Sequence, residues 1–203
     1  MKLDPSHTAA VAVHLQRDIV DADGAFADFF YTQVRDREVI PRVRALTDRV
    51  RDDGGTVVFT RVAWQPDYSD LNANSALLQL VRQTGSLGEG TPGAELVDDT
   101  GRQDADLVHT HQRISGLTSE LEDELRARGV DTVLICGVAT NASVEGTARQ
   151  FSDAGFVTYV VDEACSAATP AAHQASIESL GLVAGVCSLD DALRALSDTE
   201  VVK

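Results

Sequence analysis

Ser143 stands at a junction suited to chemistry. Just upstream, Val133, Leu134, Ile135 and Cys136 form an apolar run of strand length that Gly137 ends. Just downstream, Val144, Thr147, Ala148 and Phe151 recur at helical spacing until Gly155, with Thr140 or Asn141 available as the cap. A strand, a tight turn and a helix N-terminus therefore meet at this serine, and the free backbone N–H groups of such a junction can hold a developing negative charge. A serine hydroxyl attacks only when a general base takes its proton, and histidine is the usual base. His14 closes the apolar run Thr8 to Leu15, and His109 and His111 close the run Asp104 to His111, where strand geometry points both to one side. His7 reads as a solvated terminal residue, and His173 as structural, in the helix after Pro170.

These side chains belong to a regular alternation. Strand runs are expected at 8–15, 56–62, 104–111, 133–136, 156–161 and 182–187. Helices are expected at 37–53, 71–83, 118–129, 140–154, from Pro170 to Leu180, and from Leu189 to Leu196 behind a Ser188 cap. Residues 19–36, with Phe26, Phe29, Phe30 and Tyr31, read as a long loop whose aromatics are either a satellite cluster or a pocket wall. The alternation specifies a doubly wound α/β domain with a six-stranded, mainly parallel sheet, and the whole chain, 1–203, reads as one domain. Ligands of such sheets bind beyond the carboxyl ends of the strands, which gathers His14, Trp64, His111 and Ser143 at one end of the molecule.

Composition narrows the classes of function. A net charge of −15 argues against nucleic acid and anionic membrane surfaces as partners. Cys136, Cys165 and Cys187 lie far apart and read as buried free thiols, which fits a reducing cytoplasm. The N-terminal residues lack a secretory pattern, and no apolar run reaches spanning length. With neither a Gly-x-Gly-x-x-Gly after the first strand nor a phosphate loop, a nucleotide cofactor has no support, and no other cofactor is called for.

Three segments together resemble the isochorismatase-like hydrolase superfamily, which includes nicotinamidases, N-carbamoylsarcosine amidohydrolases and isochorismatases. Val-Ala-Val-His-Leu-Gln-Arg-Asp (11–18) resembles that family's Val-x-Asp-Met-Gln-Asn-Asp. Residues 107–117, ending in Ile-Ser-Gly-Leu, resemble its Lys-x-x-x-Ser-Ala-Phe strand end. Gly-Val-Ala-Thr-Asn-Ala-Ser-Val-Glu-Gly-Thr-Ala (137–148) resembles Gly-x-x-Thr-x-x-Cys-Val-x-x-Thr-Ala, the most specific of the three. The resemblance implies a three-layer α/β/α sandwich, a homodimer or larger homo-oligomer, and a cis peptide between Val138 and Ala139. It also implies that the family's catalytic aspartate, lysine and cysteine fall on His14, His111 and Ser143, so all three are replaced. Trp64, Gln65, Asp67 and Tyr68 stand where nicotinamidases carry a histidine-rich metal site, and that metal is expected to be absent.

Serine with histidine in place of cysteine with aspartate is still a coherent pair. His14 would act as the base, His111 would orient it or bind substrate, and the turn Val138, Ala139 and Ser143 would supply the oxyanion site, with the N–H groups of Ala139 and Ser143 as donors by resemblance. The expected reaction is hydrolysis of an amide, ester or imide of a small organic molecule in a pocket lined by Gln16, Phe29, Phe30, Tyr31, Trp64 and Leu117. Three alternatives stand beside it. One is an inactive family member that binds or assembles, since a fold does not guarantee a function. Another is a metal site of His14, His109 and His111, a weak motif. The last is protonation of a vinyl ether by His14 without a covalent intermediate.

Overall fold

The computed structural model describes residues 2–197. Its six strands are β1 (Thr8–Val13), β2 (Thr56–Val62), β3 (Leu107–His111), β4 (Thr132–Val138), β5 (Val157–Ser166) and β6 (Gly185–Cys187). They form one sheet in the order β3-β2-β1-β4-β5-β6, parallel at every pairing. β1 is buried along its whole length and β4 is buried from Val133 onward, which is why both read as unbroken apolar runs. The helices are α1 (Arg17–Val20), α2 (Ala27–Asp36), α3 (Val39–Asp52), α4 (Ala76–Thr84), α5 (Ser119–Ala127), α6 (Glu145–Asp153), α7 (Pro170–Leu180) and α8 (Leu189–Ser197). Among the described residues no helix is long and apolar enough to cross a membrane.

Four expectations need correction. Residues 19–36 are not a loop: most of them lie in α1 and α2. Phe26, Phe30 and Val34, four residues apart, turn one face of α2 toward the protein, a spacing hidden by the exposed Phe29 beside them. The strand expected at 156–161 runs on to Ser166, because a register shift opposite Ile135 and Gly137 lets β5 resume pairing at Cys165. The last strand is shorter than expected, since residues 182–184 are a turn held by bonds back to Ser179 and Leu180. The turn after β4 opens as a π-helical coil, Thr140–Val144, before α6 begins, so neither Thr140 nor Asn141 caps it with a side chain.

The strand order reverses direction between β1 and β4, and the two chains leaving them diverge at that point. Val13 and Gly137 sit opposite each other in the last rung. Gly137 has φ +116°, and a β-carbon there would lie 2.2 Å from the Val13 carbonyl oxygen, so only glycine lets the strands stay paired up to the site. Gly137→Ala is expected to cost more than about 3 kcal/mol or to prevent folding; a urea melt within about 1 kcal/mol of wild type would show that the backbone can relax there.

Candidate active site

His14 is the first residue past β1 and has φ 54°, a left-handed conformation that costs a residue with a β-carbon about 1 kcal/mol or more. Its N–H bonds the Thr60 carbonyl at 3.1 Å, and this kink turns the side chain across the strand ends. There its Nε2 meets Nε2 of His111, the last residue of β3, at 3.1 Å. Both rings are almost fully buried. Burial, reinforced by the neighbouring His111, holds His14 well below the usual imidazole pKa. Burial, then the positive ends of His109 and Arg113, brings His111 down to about 4.

Both rings are thus neutral at neutral pH, and the network assigns their protons. The Arg113 amide donates to His111 Nδ1 at 3.3 Å, so that nitrogen is bare and the proton of His111 lies on Nε2. His111 Nε2–H then donates to His14 Nε2, which leaves the proton of His14 on Nδ1. His111 is the inner ring of the pair and His14 the outer: only His14 reaches the cavity.

That cavity, of about 60 Å³, lies against the ends of β1, β2 and β4, with Ser143, Val138 and Ala139 on one wall and Phe26, Phe30, Trp64, Leu78 and Leu87 around it. The Val138–Ala139 peptide is cis. Ser143 is nearly buried, and among the described residues its hydroxyl bonds neither imidazole. The three thiols are unreactive by comparison: burial pushes Cys136 and Cys187 up to about 12 and Cys165 up as well.

Of the six residues expected to line the pocket, Phe30 and Trp64 do so. Phe29 points to solvent, Tyr31 lies beneath the Arg35 guanidinium on the outer side of α2, and Leu117 is buried in the core. Gln16 is fully buried, and its amide pairs with both backbone groups of Val62, accepting from N–H at 2.8 Å and donating to C=O at 2.7 Å, while also donating to Ala94 C=O at 2.7 Å. It clamps the chain leaving β1 to the end of β2 and is not a wall of the cavity. His109 does not join the other two histidines as a ligand set. Its Nε2 bonds the Thr118 hydroxyl at 2.7 Å, and among the described residues no three His, Cys, Asp or Glu side chains are placed to hold a metal.

Sequence reasoning missed the brace behind the serine turn. Arg37 donates to the Cys165 and Asp162 carbonyls and to the Asp162 carboxylate, whose Oδ1 also meets His173 Nε2 at 2.8 Å. His173 Nδ1 meets the Thr140 hydroxyl at 2.8 Å. The His173 hydrogen bond, ahead of the charges of His173 and Arg37, holds the Asp162 carboxyl below its ordinary value. The threonine that ends the Gly-x-x-Thr turn and a histidine in α7 are the two residues that carry the brace, and nothing in their local sequence pairs them.

Residues 8–191 match the model of the isochorismatase domain. The chain belongs to the isochorismatase family. This isochorismatase-family hydrolase is 31% identical to an uncharacterized isochorismatase family protein, YecD, from Escherichia coli O157:H7, over 97% of this chain and all of that one. It is 26% identical to the ureidoacrylate amidohydrolase RutB of Stutzerimonas stutzeri strain A1501, over 95% of this chain and 83% of the relative. Among solved structures, a cysteine hydrolase from Pseudomonas syringae pv. phaseolicola 1448A superposes with a TM-score of 0.88 at 22% identity, covering 98% of this chain and 97% of that one, a likeness of fold.

The neutral histidine pair makes the isochorismatase-family fold acid-sensitive in a defined window. The unfolded chain protonates His111 near pH 6.5 and the folded chain only at about 4. Its contribution is therefore complete above about pH 6.5 and is lost as pH falls toward 4, by roughly 3 kcal/mol. Urea stability measured from pH 7 to 4 should decline with this slope and decline less steeply in His111→Gln; equal slopes would contradict the assignment.

Proposed function

We propose that the protein hydrolyses an amide, ester or imide bond of a small organic molecule through Ser143, with His14 as general base and His111 as the group that orients it. The observation that carries this reading is the 3.1 Å contact between two neutral imidazoles, the outer of which shares a cavity wall with Ser143. His14 is in its proton-accepting form at pH 7, and the same depression leaves little imidazolium to protonate a vinyl ether, which counts against that reaction.

Only Nδ1 of His14 is left for the cavity. To accept a proton there, both rings exchange tautomers: His14 Nε2–H donates to His111 Nε2, and the His111 proton moves to Nδ1. The cost is the 3.3 Å bond from the Arg113 amide, which leaves that N–H facing the new His111 Nδ1–H, about 1–3 kcal/mol. Ser143 Oγ then bonds the substrate carbonyl carbon as its proton passes to His14 Nδ1, and His111 steadies the imidazolium by accepting from Nε2–H. The oxyanion forms beside the amides of Ala139 and Ser143, the proton passes to the leaving group, and an acyl ester remains on Ser143. Water, losing a proton to His14, releases the acid and restores the serine.

A second reading, an inactive binding or assembly module, is favoured by the absence of a hydrogen bond from the Ser143 hydroxyl to either ring. Association into a homo-oligomer fits either reading, and exposed Leu182, Val183 and Val186 at the β6 edge support it.

Intact-mass and peptide analysis after treatment with a fluorophosphonate should find one phosphonyl group on Ser143, absent from Ser143→Ala. His14→Asn should slow p-nitrophenyl ester turnover by about 10²–10⁴-fold. A folded wild-type protein that takes no label and turns over no ester or amide would favour the module.

A further inference from the structure

The coil that carries Ser143 is held from outside itself. Within it, the Ala139 carbonyl accepts from the Ala142 and Val144 amides, both at 3.1 Å, and the Thr140 carbonyl accepts from the Glu145 amide. A single π-type turn of this kind is rare, and something beyond its own bonds has to hold it. The support comes from α7. Thr140, the first residue of the coil, is fully buried, and its hydroxyl meets His173 Nδ1 at 2.8 Å instead of capping the helix. Three residues further along α7, the Ser176 hydroxyl lies 3.1 Å from the Thr140 carbonyl and 2.5 Å from the Glu145 carboxylate, so its single proton is shared between the two residues that bracket the coil. Behind His173 stands Asp162, whose Oδ1 accepts from the ring Nε2–H and from Arg37, each at 2.8 Å.

Asp162, His173 and Thr140 stand in the order of a hydrolytic triad, yet the Thr140 side chain is sealed from solvent and is no nucleophile. The chain of bonds has a different use. Burying an imidazole and a hydroxyl on a helix that also buries Ile177 and Leu180 gains little stability over apolar packing, whereas directional bonds in series confine Thr140 to the rotamer that reaches His173. We propose that His173 is a positioning residue: fixed by Asp162, it holds Thr140, and so sets the shape of the turn from Ala139 to Val144 and the place of Ser143 within it. The proposal rests on the hydrolase reading only for the kinetic part of its test.

Thr140→Val keeps the side-chain volume and removes the hydroxyl, while Thr140→Ser keeps the hydroxyl. Amide hydrogen exchange followed by NMR reads the turn without any reaction. In Thr140→Val, exchange at residues 140–145 should quicken by about tenfold while the amides of β1 and β2 stay within about twofold, and Thr140→Ser should recover most of the protection. His173→Leu should give the same local pattern, and combining it with Thr140→Val should add less than about a further twofold, because the two side chains act in series; Thr140→Val decides alone if His173→Leu does not fold. In kinetics, kcat for a p-nitrophenyl ester per phosphonate-titrated Ser143 should fall about tenfold in Thr140→Val with KM within about twofold, a split that lost stability alone does not produce. Unchanged exchange at the turn in Thr140→Val, loosening that spreads evenly through the sheet, or a kcat per titrated site equal to wild type would overturn the proposal. A wild-type protein that takes no phosphonate while its turn responds as described would reject the hydrolase reading and leave the positioning role standing; normal labelling with an unresponsive turn would do the reverse.

Discussion

The pairing of β1 with β4 up to their last rung is the constraint on which the site depends. Each strand lies in the middle of the sheet with neighbours on both sides, so their backbones have little freedom to adjust. Beyond Val13 and Gly137 the two chains part, and one delivers His14 while the other delivers Val138, Ala139 and Ser143. The close approach of Gly137 to the Val13 carbonyl keeps the two exits adjacent. His14 and the serine turn leave the sheet within a few residues of this contact, while His111 comes from the end of β3, and the left-handed turn at His14 is tolerated because β1 and the Thr60 carbonyl hold its backbone.

The imidazole pair also has an electrostatic logic. By resemblance, the family keeps a carboxylate and an ammonium at these two positions, an ion pair whose charges cancel. Two neutral rings preserve that cancellation without burying an ion: His111 Nε2–H donates to His14 Nε2, and the Arg113 amide donates to His111 Nδ1. Changing only one position would strand a charge at a buried site, a cost of several kcal/mol. The joint appearance of His14 and His111 is therefore chemically self-consistent, whatever reaction the site performs.

Much of the architecture was legible because central parallel strands are apolar on both faces, as β1 and most of β4 are. The gathering of His14, His111, Trp64 and Ser143 at one end followed from strand direction alone. What was hidden depends on side-chain direction. Gln16 lies in the same motif as His14, yet it turns inward to stand in for a missing strand partner. Phe29 and Phe30 are adjacent in sequence and face opposite ways because they lie on a helix, which the loop reading missed. The brace through His173 joins residues far apart in the chain, and no local pattern encodes it.

That brace has a mechanical consequence. Arg37 follows directly on α2, the helix that contributes Phe30 to the cavity, and Thr140 opens the coil that contributes Ser143. Both are anchored through the one carboxylate of Asp162. Two elements that line the cavity are therefore tied to a common carboxylate. A guest is met by a receptacle already shaped and spends little on rearranging it.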